Sequence, residues 1–429
     1  MTAVAMPSAQ ENGTVTSVDS TWTDCASIAA GSFTASRKYL IVANAIIQCG
    51  GGANEHHIRL VHGTTPTEFT DAHGIYDPGL SGANGRGAWQ YMTVFTQPGT
   101  AELVKIQIMR EASTANVTSG YTQILCVDIT DLVENTDYWF NEDTADYETT
   151  TTPVAKAAVT LTPNGTDDFA VWANAVYDGG GTLADDGNDF EAEMFESVAS
   201  SVLPRWQNEN EDADAGDENH SMVLQRSWAA PSAASRTWSI RLSHNGASAF
   251  TVLSSRVFVL RLNAFDQHAI VYTEASDSPT VGSFEIEATV SVTPNVTGNW
   301  LYIGTGTNVA PDDASGLQIR LQDDNDGSMG SDPAYGDDEI AVGEAAHWDP
   351  SDEVPLVLGN VKSLTSGALR TINLDFKNGT FGTGTVAYRS LIAFSAELAG
   401  AGFDPATGYA SQQPPTNLPI WRRVAAIAY

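Results

Sequence analysis

Apolar and polar residues alternate in three short stretches of this chain, set at nearly equal intervals along it. Lys105–Arg110 sets Ile106 and Ile108 against Gln107. Trp238–His244 sets Ile240 and Leu242 against Arg241, and Thr371–Phe376 sets Ile372 and Leu374 against Asn373. A period of two with one polar side is the pattern of an antiparallel strand with one buried face. A second trio, Ile124–Ile129, Val257–Leu262 and Leu391–Leu398, is apolar nearly throughout, which predicts strands in the middle of a sheet.

Other segments recur at the same interval, so the chain reads as an internal repeat. Ile41–Ile46 reads I-V-A-N-A-I and Val171–Val176 reads V-W-A-N-A-V; the same step taken once more reaches Leu301–Gly306, L-Y-I-G-T-G. Val159–Asn164 (V-T-L-T-P-N) and Val290–Asn295 (V-S-V-T-P-N) are separated by a step one longer. Each Pro-Asn turn leads to an aromatic, Phe169 or Trp300, and Tyr39 holds that place in the first copy. Several short strands fit in each unit, and the immunoglobulin Cys…Trp…Cys spacing is missing. The expected fold is therefore all-β, with three tandem jelly-roll-like β-sandwiches of about 130 residues each. The expected limits are 1–133, 134–266 and 267–400, followed by an extended, proline-bearing C-terminal arm over 401–429. Short linkers predict a stiff rod, with the first unit as its more contacted end.

Composition narrows the function. The chain has 429 residues, with 53 acidic against 20 basic and a formal charge of −33. Nucleic acid and anionic membrane surfaces need a basic stripe, so neither is an expected partner. Met1–Ser8 carries neither a basic nor an apolar signal region, and no segment approaches the length of a membrane helix. Three cysteines (Cys25, Cys49 and Cys126) without a CxxC pair predict buried thiols in a protein made in a reducing cytosol.

No nucleophile elbow, metalloprotease helix or phosphate loop occurs, and no catalytic residue is expected. His56 and His57 would point to opposite faces of one strand, which argues against a shared metal with His62. The acidic stretches Glu209–Glu218 and Asp323–Glu339 are expected to form solvated rims. Asp324-x-Asp326-Gly327 resembles part of a calcium loop, so Asp324 and Asp326 are the metal candidates, although Gln322 stands at the first ligand position. Trp89, Trp206, Trp228 and Tyr335 are candidates for stacking on sugars or for packing. In the arm, Trp421, Arg422, Arg423 and Tyr429 are the expected interface residues, joining copies of the chain into an oligomer, with a trimer as the first expectation.

An acidic chain of repeated β-sandwiches, with its paired V-T-L-T-P-N and V-S-V-T-P-N turns, resembles virion proteins of tailed viruses, such as head-decoration proteins, head spikes and fibres. The resemblance implies a non-enzymatic protein that decorates or stabilises the capsid surface. It also implies contact with the major capsid protein or other virion proteins after synthesis in the host cytoplasm. Two alternatives stand beside it. One is a tail fibre or baseplate protein that binds a receptor or host surface glycan; the other is a carbohydrate-active enzyme or adhesin.

Overall fold

The structure, a computed structural model, describes residues 3–11, 15–17, 20–49, 56–76, 86–110, 117–178, 189–199, 201–209, 219–246, 249–280, 283–309, 317–323, 353–378, 385–399, 403–404 and 409–410. The first set of strands is β1 (Ser8–Glu11), β2 (Val15–Ser17), β3 (Thr23–Ile28), β4 (Lys38–Cys49), β5 (His56–His62), β6 (Thr67–Tyr76), β7 (Arg86–Thr96), β8 (Val104–Arg110) and β9 (Val117–Asp128). The second is β10 (Tyr138–Asp143), β11 (Tyr147–Glu148), β12 (Val154–Leu161), β13 (Phe169–Asp178), β14 (Asp189–Glu196), β15 (Ser201–Glu209), β16 (Asn219–Trp228), β17 (Arg236–His244) and β18 (Thr251–Arg261). The third is β19 (His268–Thr273), β20 (Glu285–Val292), β21 (Gly298–Val309), β22 (Leu317–Asp323), β23 (Glu353–Leu364), β24 (Arg370–Asn378) and β25 (Thr385–Ser395). Phe403–Asp404 and Tyr409–Ala410 form a small separate ladder.

Strand order identifies the fold. In the first set one sheet runs β1-β9-β4-β7 and the other β3-β8-β5-β6. The second set repeats this as β10-β18-β13-β16 and β12-β17-β14-β15, and the third as β19-β25-β21-β23 and β20-β24-β22. With the short β2 and β11, which pair with β9 and β18, set aside, first strand beside last and second beside next-to-last is the jelly-roll winding, in which a long hairpin is wrapped so that both its arms cross both sheets. A single pairing (Gln207 with Glu353) joins β15 to β23, so the second and third sets share a continuous eight-stranded sheet.

The alternating stretches are the strands β8, β17 and β24, whose apolar residues line the sandwich cores. Their polar sides are covered by long side chains from the neighbouring strand or their own: Arg59 on Gln107, Arg241 on Glu193 and Arg320 on Asp375. The apolar stretches are β9, β18 and β25, each lying between two partners in its sheet, as their sequence predicts. Among the described residues β3, β12 and β20 have partners on one side alone, and each carries a register shift against its neighbour. A bulged edge is a poor template for another strand, and this protects three otherwise open sheet edges.

The third copy corrects the alignment. Tyr39, Phe169 and Trp300 are all buried near the start of their strands, but Leu301 does not correspond to Val171. Val171 and Tyr302 line a sandwich core, whereas Leu301 joins Leu40 and Ala170 on the opposite face. A slip of one residue inverts a strand, so the longer step, from Val159 to Val290, is the structural one. At that register Ala43-Asn44-Ala45 and Ala173-Asn174-Ala175 match Gly304-Thr305-Gly306. The small residues of these triplets face the core, where large side chains come from the opposite sheet. A Cβ on Gly304 would lie 2.6 Å from Leu374 Cδ1 and 3.1 Å from Leu321 Cδ2.

Candidate functional site: the shared interface of three jelly rolls

The sheets containing β4, β13 and β21 are buried on both faces. One face covers its own sandwich core. The other contributes to a single cluster drawn from all three sets: Leu40 and Val42, Ala170 and Trp172, Leu301 and Ile303, with Leu125, Phe258 and Ile392 from the adjoining strands. The expected rod is therefore incorrect. Three sandwiches turn equivalent apolar faces onto one another, because a second apolar face on each sheet gains more from burial than from exposure along a rod.

Contacts pass around the cluster in one sense. β7 packs on β13 and β16, β16 on β19 and β25, and β23 on β9. Each set thus presents the same edge strand to the next, and the third presents it to the first, which closes a ring. The receiving strands differ, since β7 meets β13 and β16 whereas β16 meets β19 and β25, so the three contacts are not equivalent. Polar groups form a layer beside the apolar cluster. Between the first and second sets, Gln90 Oε1 accepts from Val223 N at 3.1 Å and Arg256 donates to Thr70 O at 3.0 Å. Between the second and third, Gln225 Nε2 donates to Ile303 O at 3.3 Å. Between the third and first, Asn44 Nδ2 donates to Val357 O at 3.0 Å and Gly359 N to Gln123 Oε1 at 2.9 Å. Asn44, Asn174 and Thr305 occupy equivalent places in this layer, all buried.

Arg256 ties the second set to the first. It is fully buried, paired with Glu142 at 2.5 Å, bonded to Asn174 Oδ1 at 3.0 Å and held over the Tyr91 ring. At the contact between the third and first sets, Gly359 packs against the side chain of Leu125. A Cβ on Gly359 would overlap Leu125 Cδ1 and lie 2.8 Å from Tyr302 O. Gly359→Val should therefore force these two sandwiches apart, with a loss of about 1–3 kcal/mol from overpacking. Denaturant titration against wild type measures it.

Where the sets join, the ring is tied twice by chain and once without it. Tyr138–Phe140 begin β10 after the first junction, and Lys38 reaches Tyr138 Oη at 3.2 Å across it. At the second junction His268 contacts Asp168 at 3.0 Å. The third closure is non-covalent: Val4 N donates to Ala396 O at 2.8 Å, Ala3 bridges Glu397, and Val4 and Met6 enter the shared cluster.

The other sequence candidates fall in different places. Asp324, Asp326, Trp421, Arg422, Arg423, Tyr429 and Tyr335 lie outside the described residues, as does the side chain of Trp206. Asp323, expected on an acidic rim, is instead fully buried and faces Lys362 and Arg370, each at 3.5 Å. Trp89 and Trp228 are buried, so neither offers a sugar-stacking platform. Cys126 is buried, with burial pushing its thiol pKa up, while Cys25 is half-buried. Among the described residues no group of three or more His, Cys, Asp or Glu is placed to hold a metal, and no helix is long and apolar enough to cross a membrane.

One polar cluster was not legible beforehand. On the outer face of the first sandwich, His57 Nδ1 lies 3.0 Å from His73 Nε2, Trp22 lies edge-on to both rings, and Arg59 stacks on Trp22 at 3.8 Å. Burial, then His57 and Arg59, lower the pKa of His73 to about 4 from the ordinary 6.5. Between these values the unfolded chain binds more protons than the folded one, so this group makes stability fall as pH drops from about 6.5 to about 4. Glu68, raised by burial, acts in the opposite sense. His73→Gln should therefore flatten the acid limb of a plot of melting temperature against pH; an unchanged limb would show that other groups set it.

With the geometry established, comparison with known proteins adds little. No family model and no curated protein matches the chain. Among solved structures it is similar to one described as the triple jelly-roll fold and turret assembly of an archaeal virus, at 10% identity and TM-score 0.18 over 90% of this chain and 83% of that one. It is also similar to a peptide-N(4)-(N-acetyl-β-D-glucosaminyl) asparagine amidase, at 11% identity and TM-score 0.30 over 60% of this chain and 97% of that one. Infectious bursal disease virus (Gx strain) aligns at 7% identity and TM-score 0.19 over 90% and 82%. At these scores the assignment of the fold rests on strand order, and the likenesses decide no chemistry.

Proposed function

We propose that this chain is a non-enzymatic structural protein of a tailed-virus particle, decorating or stabilising the capsid surface. Its three strand sets are then three domains, with limits near 1–133, 134–266 and 267–400. The observation that carries this reading is the ring itself. Three jelly rolls spend their second apolar faces on one another, so a single chain carries three similar units in one body. Such a body can meet a shell built from repeated proteins with three similar footprints at once. Linked contacts of that kind bind more tightly than any one of them alone. The strong negative charge keeps the unattached protein soluble.

Mass spectrometry of purified particles should find the chain in abundance. Its absence from particles, or hydrolysis of a polysaccharide by the pure protein, would overturn the reading.

A further inference from the structure

The three joints of the ring are not held alike. Between the first and second sandwiches the chain itself crosses from β9 to β10, and β6 and β7 both pack on β16. Between the second and third it crosses from β18 to β19, β15 pairs with β23, and β16 packs on β19 and β25. Between the third and first no linker crosses, and β23 packs on β9. If either of the first two joints parts, its short linker keeps the two sides at high effective concentration and they reclose. The third has no such tether. Its two sides are separated by almost the whole chain, so its closure carries the largest loop entropy.

An extended segment spans the third joint instead. Ser8–Glu11 pair with β9, and Cys126 N donates to Pro7 O and Asp128 N to Ala5 O, both at 2.9 Å. The same segment then passes to the third sandwich, where Val4 N donates to Ala396 O at 2.8 Å and Ala3 bridges Glu397. Its side chains alternate as in any strand, with Ala3 and Ala5 exposed and Val4 and Met6 buried in the shared cluster. Alongside, Gly359 N donates to Gln123 Oε1, and Asn360 Nδ2 donates to Gln10 Oε1 at 3.3 Å. The far anchor of the segment carries a penalty of its own. Glu397 is 9% exposed, its side chain packs on Gly298, and its Oε2 has no hydrogen-bond partner among the described residues. Burial holds this carboxyl above its ordinary range, and an unpaired buried carboxylate opposes the structure that encloses it.

We propose that the ring opens at this third joint, the seam, and that residues 3–7 are the strap that latches it. In the open form the first sandwich swings away from the third while its contact with the second holds. Apolar groups that meet across the seam, Leu125 among them, then reach water. The strap works by strand addition: its main chain supplies the hydrogen bonds, and its alternate side chains fill the shared cluster. Opening of this kind precedes global unfolding, because it exposes far less apolar surface than the loss of all three sandwiches.

Amide-resolved hydrogen exchange on the full chain tests this. Gly359 N reports the seam, since it bonds Gln123 of the first sandwich; Val223 N, bonded to Gln90, reports the first joint through the same kind of acceptor. In wild type, Val4 N and Gly359 N should exchange at one common protection level, roughly tenfold faster than Val223 N once intrinsic rates are divided out. Val4→Gly should speed Gly359 N by roughly tenfold more and leave Val223 N unchanged, although Gly359 N bonds Gln123 and not the strap. A cross-link supplies the converse. Ala3 and Glu397 face each other beside the Val4 N to Ala396 O bond, as in a non-hydrogen-bonded antiparallel pair, whose Cα atoms are close enough for a disulfide. Oxidised Ala3→Cys/Glu397→Cys should slow Gly359 N to the protection of Val223 N, and reduction should restore the faster exchange. Equal protection of Gly359 N and Val223 N in wild type would overturn the proposal. So would a Val4→Gly protein in which Val4 N alone is accelerated, since the strap would then fray without opening the seam. Should Val4→Gly misfold, equal exchange of Gly359 N in the oxidised and reduced cross-linked protein would overturn it.

Discussion

Trp172→Ala should destabilise all three jelly rolls at once. Trp172 belongs to the second set, yet its ring is fully buried in the cluster to which all three contribute. Its indole N–H donates to Gln225 Oε1 at 2.7 Å, and Gln225 in turn donates to Ile303 O of the third set. Truncation removes the large ring and leaves a cavity. It also strands the Gln225 oxygen at the contact that aligns two sandwiches. Buried Trp→Ala substitutions cost about 3–5 kcal/mol. The diagnostic feature is cooperativity. If the ring is one folding unit, calorimetry of wild type gives a single transition, and that transition moves as a whole in the variant. Three transitions, with one displaced, would mean that the sandwiches fold independently and that the shared cluster contributes little.

Arg256→Ala should cost about 1–3 kcal/mol, because it leaves buried hydrogen-bond partners of the guanidinium without it. The guanidinium joins Glu142, Asn174 and Ser254 of its own set to Thr70 O of the first. Alanine would leave a hole beside Tyr91 and deprive Thr70 O of this donor. Arg256→Met separates the two contributions. Methionine fills much of the volume, Glu142 is a third exposed and can be hydrated, and Asn174 retains its bond to Met222 O. The Met variant should therefore lie clearly above the Ala variant in stability. Equal losses would show that the charge network, not the packing, holds the first and second sandwiches together.

Much of the architecture was legible in the order of residues. Alternation in Trp238–His244 and the unbroken apolar runs such as Val257–Leu262 give the strand type and its place in the sheet, because burial of one face or two leaves a direct imprint on composition. The paired T-P-N turns locate the start of β13 and β21. Asn164 shows why: its side-chain oxygen accepts from Thr166 N and Asp167 N, closing the turn locally. Such features depend on neighbours along the chain.

The arrangement of the sandwiches did not follow in the same way. Runs such as Ile124–Ile129 predict mid-sheet strands, and they form them, but double-sided burial has two causes that look alike in sequence. A strand may sit inside one sandwich, or its outer face may be covered by another. Here the second holds as well, and a ring replaces the rod. The polar cluster around His57 and His73 was hidden for a similar reason, since its members come from separate segments and its two histidines meet only when β5 and β6 pair. Asp323 looked like a surface acid beside Asp324 because sequence displays charge without displaying Lys362 and Arg370, which fold back to meet it.

Sequence by itself determined the repeat, the jelly-roll class and the positions of the turns, all set by local periodicity and by residues a few places apart. Tertiary structure alone decided the register of the third copy, the closure of three sandwiches into a ring and the pairing of buried Asp323 with Lys362 and Arg370. Those depend on which distant faces find each other, and an apolar face carries no record in sequence of the partner that will cover it.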